Sequence, residues 1–298
     1  MYASKKDKTL INILGAGRSG TTMLDLMLGN DDRSFSLGEV HAWFRPFRAH
    51  HKYIDCNCGD KDCSYWLPIL SVPEKEFHAR AFDQLGVDFL VDSSKSLPWV
   101  IDNNGWAAKR GIETVNIVMH KPLINYIYSI WKRGDSIDTA LYRYKAYYWR
   151  LVNSSISAVS VSFSDLVSDP DQSLRQICKI TGQAYTPDRK KFWAREHHHI
   201  FGSGGIRGQA KVGSSTIQER DDLPEDFLAL IPLINEKIAG DKKIQKIKQY
   251  FASNNFKTYT PSFGILKSPR RKLKPAWYYF SKAKALWRRF FPEVYEPK

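Results

Sequence analysis

In the segment Thr9–Thr22, TLINILGAGRSGTT, one apolar run passes through three glycines into the start of another. Leu10, Ile11, Ile13 and Leu14 read as a buried strand, Gly15, Gly17 and Gly20 as sharp backbone turns, and Met23, Leu24, Leu26, Met27 and Leu28 as the opening of a helix. A helix N-terminus reached by such a turn offers backbone N–H groups and the positive end of a dipole, which together bind phosphate. The position of the positive charge narrows the chemistry. A nucleotide-hydrolysing P-loop places Lys directly after its last Gly and then a Ser or Thr for Mg²⁺. Here Gly20 is followed by Thr21 and Thr22, while the cation, Arg18, stands two residues before Gly20. The loop suits a phosphate but lacks the lysine of a kinase or NTPase, the rival P-loop class.

Further strands are predicted at Val87–Val91, Val115–Met119 and Ala158–Phe163, all short and rich in β-branched residues as buried parallel strands are. Helical patterns lie near Thr22–Leu28, Leu97–Lys109, Leu123–Lys132 and Ile137–Val152. In Ser164–Gly182, Asp169 is placed to cap a helix, Pro170 suits its first turn, and Leu174, Ile177 and Ile180 form its apolar face. The alternation implies an α/β fold with an open, mostly parallel sheet and ligands at the carboxyl ends of its strands. A helix-rich section is expected from about Asp222, followed by a Pro-punctuated basic tail.

Arg18-Ser19-Gly20-Thr21-Thr22 resembles the [KR]-S-G-[TS]-[TS] motif of the sulfotransferase superfamily, and Arg at its first position is closer to the bacterial and carbohydrate branches. Two further segments are similar to that family: Asp92-Ser93-Ser94-Lys95 after the second predicted strand, and Phe163-x-Asp165-Leu166-x-x-Asp169-Pro170. The resemblance covers the chain from the first strand to about Gly208. It implies a P-loop (Rossmann-like) three-layer fold and the donor PAPS (3′-phosphoadenosine 5′-phosphosulfate), with PAP as product and no metal required.

The resemblance also distributes roles. Gly17, Arg18, Ser19, Gly20, Thr21 and Thr22 would hold the 5′-phosphosulfate, with Arg18 steadying charge on the leaving PAP. The 3′-phosphate falls to an Arg and a Ser eight residues further on; here Lys121 and Ser129 have that spacing, with His120 as the competing match. Lys offers a point charge but not a planar bidentate contact. Glu39, in Ser36-Leu37-Gly38-Glu39, is the expected base, with His41 as runner-up because imidazole titrates near neutrality. Lys95 is expected at the ligand cleft, and Asp92 or Ser94 as a cap for the helix that follows. The segment IFGSGGIRGQAK is similar to the family's late Gly-rich loop over the nucleotide, mobile at Gly202, Gly204, Gly205 and Gly208, with Arg207 as a second 3′-phosphate ligand.

Composition sets the outer limits. A formal charge of +14 on 298 residues calls for anionic partners, but no zinc-finger, RNP or basic-zipper spacing accompanies it, so nucleic acid is not expected. No apolar run has the length of a membrane span, and the opening MYASKKDK reads as a polar lead rather than a secretory signal, which predicts a cytoplasmic protein. Much of the charge lies in 267–298, read as an extension to a 1–266 sulfotransferase domain. Pro275–Phe291 forms an amphipathic basic helix on paper, suited either to an anionic membrane surface or to packing on the domain. Three of the four cysteines cluster as Cys56-x-Cys58-x₄-Cys63, with His41, His50 and His51 nearby, which admits a zinc site, a local disulfide or reduced packing residues; the spacing is not a standard zinc pattern and makes no fourth ligand obvious. The His197-His198-His199 triplet is not read as a metal site. The acceptor implied by the family is a hydroxyl on a carbohydrate or a lipid headgroup, with the segments Trp43–Arg48 and Tyr142–Trp149 as candidate linings. A catalytically inactive, membrane-associated binding protein of the same fold is the other reading.

Overall fold

The computed structural model describes residues 8–212, 217, 223–256 and 258–259. Its sheet holds β1 (Thr9–Leu14), β2 (Ser34–Gly38), β3 (Phe89–Asp92), β4 (Glu113–His120), β5 (Ala158–Ser162) and β6 (Thr258–Tyr259), in the order β2-β3-β1-β4-β5-β6. The first five strands are parallel, and β6 joins the β5 edge antiparallel. β1 is central and wholly buried, pairing Thr9–Asn12 with Phe89–Asp92 on one side and Thr9–Leu14 with Glu113–Val118 on the other.

Successive residues of a strand point to opposite faces, and the strands serve two cores accordingly. Leu10, Leu14, Leu90 and Val118 join Trp66, Trp99, Tyr126 and Tyr148 on one face. Ile11, Ile13, Val91, Ile117 and Met119 join Met23, Leu24, Met27, Leu174 and Ile177 on the other. Helices Leu97–Ala108, Leu123–Trp131 and Ile137–Val152 supply the first layer, and Thr21–Leu28 and Pro170–Thr181 the second. The result is the expected three-layer α/β fold. Strand order reverses beside β1: the chain travels out to β2, returns through β3 and crosses to β4. Loops after β1 and β4 therefore part from adjacent strand ends, and a crevice opens between them.

The four predicted strands are all present. β2 is an addition, because its sequence SFSLG carries two serines and shows no apolar run. Those serines are buried but satisfied: the Ser34 hydroxyl accepts from Gln183 Nε2 at 2.9 Å, and Ser36 Oγ lies 2.6 Å from His199 Nδ1. Asp169 caps Pro170–Thr181 as expected, accepting from the Gln172 N–H at 2.9 Å. Asp92 and Ser94 do not cap the helix after β3, whose N-cap is Ser96. The buried Asp92 carboxylate instead gathers Trp99 Nε1 at 2.7 Å, His78 Nε2 at 3.0 Å and the Ser94 N–H at 2.9 Å. The expected loop after Phe201 is also different, since Gly204–Val212 is helical.

Between Leu223 and Asn254 the chain is helix-rich as read, with Ile231–Gly240 and Lys242–Asn254 following in turn. Among the described residues no helix is long and apolar enough to cross a membrane. The 267–298 extension and its amphipathic helix lie outside the described residues.

Arg189 is fully buried and ties the end of helix Thr21–Leu28 to a distant segment. Its guanidinium donates to the Leu28 carbonyl at 2.9 Å and the Ala184 carbonyl at 2.8 Å and pairs with Asp31. Arg189→Met removes one partner from a buried set, so urea unfolding is expected to show a loss of about 3 kcal/mol at unchanged slope.

Candidate active site

The loop after β1 is shaped by what crowds it. A Cβ on Gly15 would stand 2.7 Å from the Met119 carbonyl oxygen, and one on Gly20 only 2.4 Å from the Phe163 ring. Arg18 adopts φ 82°, a left-handed conformation that costs a non-glycine residue about 1–3 kcal/mol. Two phenols on helix Ile137–Val152 hold the loop in place. Tyr147 accepts from the Gly15 N–H at 2.9 Å and donates to the Lys95 carbonyl at 2.7 Å. Tyr148 accepts from the Ala16 N–H at 3.2 Å, donates to the Met119 carbonyl at 2.8 Å and lies 2.8 Å from Ser19 Oγ. Helix Thr21–Leu28 then starts at Gly20 (φ 91°) with no side-chain cap, so its first-turn N–H groups face the crevice with the dipole behind them.

The crevice is a cavity of about 490 Å³ lined by Gly17, Arg18, Gly20, Thr21 and Thr22 together with Glu39, Lys95, Lys121 and Arg133. Phe47, Arg48, Asp55, Phe163 and residues 201–204 complete much of its wall. Five cations and two carboxylates face it, and both carboxylates are engaged: Glu39 with Lys95, and Asp55 with Arg207 at 2.7 Å. Burial, followed by the charge of Arg133, holds the Arg18 guanidinium below its ordinary pKa. Arg18 donates through one terminal nitrogen to Ser203 Oγ at 3.0 Å, while its buried Nε has no partner among the described residues. Two neighbouring guanidiniums, a buried unpaired donor and uncapped helix N–H groups together form a site built for an anion. At Gly17 an added Cβ would meet nothing within 4 Å, so the loop stays open toward the cavity.

The sequence-derived candidates divide. Gly17, Arg18, Gly20, Thr21, Thr22, Glu39, Lys95 and Lys121 meet at the cavity. Ser19 lies beneath it, buried, with its N–H on the Ala16 carbonyl and its hydroxyl at Tyr148. His41 is buried behind the cavity wall, its ring stacked on the lining residue Phe47 with centroids 5.5 Å apart and its backbone N–H on Ser94 Oγ. His120 stacks on Phe251 at 4.3 Å in a neighbouring pocket that Lys121 also lines, and is not part of the cavity wall. Ser129 is buried and donates to the Tyr126 carbonyl within its own helix at 2.7 Å. Arg207 grips Asp55 and Asn57. Within Tyr142–Trp149 the tyrosines divide between core and loop support, with Tyr142 exposed, whereas Phe47 and Arg48 of the other aromatic segment do line the cavity. Arg133 was not foreseen; the Arg-Gly pair ending a helix gave its only signal.

A second buried group sits behind the loop. Asp25 is pushed up to about 7 by burial, against hydrogen bonds from Ser36 and Ser93, and lies 3.5 Å from His199 Nδ1.

Burial holds His41 and His120 at about 4 and His51 at about 3. Their folded values lie below the unfolded 6.5, so their contribution is complete above that pH and is lost as pH falls toward 4. Asp25, with its raised value, acts in the opposite sense, contributing fully below about 4 and losing that contribution as pH rises through about 7. Three imidazoles outweigh one carboxyl, so the melting temperature should fall by about 5 °C or more between pH 7 and pH 4.5 at fixed ionic strength. Tyr148→Phe leaves the Ala16 N–H and the Met119 carbonyl unsatisfied, and a loss of about 1–3 kcal/mol is expected in the same urea assay.

Compared with protein-family models and with curated proteins, the chain matches none at a significant level. Solved structures do match. The sulfotransferase domain from the curacin biosynthetic pathway superposes with a TM-score of 0.56 at 15% identity, covering 82% of this chain and 98% of that one. The sulfotransferase domain from the Synechococcus PCC 7002 olefin synthase gives 0.54 at 16% identity, covering 85% and 98%. The chain therefore has the fold of these sulfotransferase domains, along nearly their whole length.

Proposed function

We propose that this protein is a sulfotransferase that takes a sulfuryl group from PAPS and passes it to a hydroxyl of a carbohydrate or lipid headgroup, releasing PAP. The observation that carries this reading is the Arg18–Thr22 loop opening onto a cation-lined cavity that also holds one carboxylate suited to act as base, Glu39. The fold shared with sulfotransferase domains supports it.

The first-turn N–H groups and the hydroxyls of Thr21 and Thr22 bind the 5′-phosphate. Lys121 serves the 3′-phosphate, supported by its place at the end of β4 facing the same cavity, and Arg133 adds charge there. Ser129 would reach that phosphate only by giving up its bond to the Tyr126 carbonyl, and Arg207 only by releasing Asp55. Glu39 is assigned the base in preference to His41, which does not line the cavity. Its carboxylate takes the acceptor's proton as the hydroxyl oxygen bonds to sulfur and the bond from sulfur to the phosphate oxygen breaks in line. Arg18 and Lys95 neutralise the charge that gathers on that departing oxygen. Positioning and fixed charge supply the acceleration, as in phosphoryl transfer.

A thermal-shift titration with PAP, beside Mg²⁺·ATP and ADP, tests the donor site, because stabilisation follows affinity for the folded state. PAP is expected to raise the melting temperature, and Arg18→Ala to abolish most of that rise. Glu39→Gln should keep the PAP response while transfer from PAPS to a hydroxyl acceptor falls by about 10²-fold or more. A response to Mg²⁺·ATP with none to PAP would overturn the assignment.

A further inference from the structure

Cys56, Cys58 and Cys63, from the connection between β2 and β3, converge on His198, more than a hundred residues away. Their four ligand atoms lie within 4.8 Å of one another. Cys56 Sγ and Cys58 Sγ are 3.2 Å apart, and His198 Nδ1 is 3.3 Å from Cys63 Sγ and 3.8 Å from Cys56 Sγ. A zinc tetrahedron with bonds of about 2.3 Å to sulfur and 2.0–2.1 Å to nitrogen has edges of about 3.4–3.8 Å. We infer that these four side chains form a structural Zn²⁺ site of the Cys₃His type, which joins the Cys56–Cys63 loop to the segment bearing His198.

The surroundings fit a metal better than the two other readings of the cysteines. A disulfide would join two sulfurs and leave the third, with the imidazole aimed at it, unused. Core packing accounts for the buried Cys56 and Cys63 but not for the half-buried Cys58 and His198, which leave a path for an ion. The other nitrogen of His198 lies 3.9 Å from the exposed Glu196 carboxylate, beyond hydrogen-bond distance but on the side where a carboxylate orients a metal-bound imidazole. Tyr65 stacks on the ring with centroids 4.0 Å apart, and Trp66 Nε1 donates to the His198 carbonyl at 2.7 Å. With four protein ligands the site is closed, so its role is to hold structure. Binding displaces three thiol protons, and His198 ligates as the neutral ring through Nδ1.

What it holds is a wall of the cavity. Asn57 N–H reaches the His199 carbonyl at 2.9 Å and Phe201 N–H the Asp55 carbonyl at 3.2 Å, so the two segments already run side by side. Immediately beyond, Ser203 contacts Arg18 and Thr22.

The test uses the full chain purified under reducing conditions without chelator. Elemental analysis is expected to find about one zinc per chain, and exchange with Co²⁺ to give the intense visible bands of a tetrahedral ion with thiolate charge-transfer absorption in the near ultraviolet. Cys58→Ser and His198→Ala, at the half-buried positions, should each lower zinc affinity by about tenfold or more and alter the Co²⁺ spectrum, whereas Cys178→Ser leaves both unchanged. Amide exchange at residues 56–59 and 198–202 should quicken on zinc removal. Folded, reduced protein that takes up neither ion would overturn the proposal. So would a Co²⁺ spectrum indifferent to Cys58 and His198, or recovery of Cys56 and Cys58 as a disulfide from cells lysed with a thiol-blocking reagent. None of these readouts depends on PAP or on transfer activity, so the metal site and the sulfotransferase reading stand or fall separately.

Discussion

The Tyr148 hydroxyl is where the loop after β1 and the end of β4 are joined. One phenolic oxygen accepts from Ala16, donates to Met119 and meets Ser19, at a position closed to water. In a low-dielectric interior such a hydroxyl is expensive to leave unpaired, so the three partners and the helix that carries it are fixed together. Tyr147, next in sequence and on the adjacent side of the helix, does the same for Gly15 and for the Lys95 carbonyl. Through these two residues one helix registers the loops that follow β1, β3 and β4. The positions of Arg18, Lys95 and Lys121 at one cavity depend on that registration.

The cavity's electrostatics are those of a site shaped around a charged guest. Arg18 is strained in backbone conformation, half-hidden from water and close to another guanidinium, three conditions that each raise the energy of the ligand-free protein. A multiply charged anion relieves the last two. The lining carboxylates are already paired with Lys95 and Arg207, so neither of them neutralises Arg18. This is a balance for binding anions strongly in a small volume, and it differs in kind from the diffuse basic surface that the overall charge of +14 suggests.

Much of this was legible in the chain. Thr9–Thr22 announces its strand, turn and helix because glycine requirements and apolar runs are local properties. Asp169-Pro170 announces a capped helix for the same reason. Lys121 could be placed because it follows a strand in a parallel sheet, and Glu39 through the resemblance of its Gly-Glu segment to the family's. What was hidden is non-local. β2 escaped because its serines are satisfied by Gln183 and His199, residues far along the chain. Tyr147 and Tyr148 looked like lining, since nothing in an aromatic run tells which hydroxyl will find a buried amide. The partner of Arg207, Asp55, lies 152 residues away in the sequence and could not be read from the Gly-rich segment. His198 was set aside because adjacent histidines on an extended chain diverge; that divergence is what sends His198 to the cysteines and His199 to Ser36 and Asp25.

The ion pair between Lys95 and Glu39 has a bearing on the order of events. While the two are joined, the ammonium is occupied and lies against the carboxylate oxygen that would face the acceptor. An incoming phosphosulfate competes for the ammonium and, by drawing it away, uncovers the carboxylate oxygen. On the proposed chemistry the two substrates are thus read in sequence. A hydroxyl arriving first finds the carboxylate oxygen covered, and one arriving second finds it open. A single side-chain contact would then work as an interlock, coupling readiness for attack to the presence of the group to be attacked.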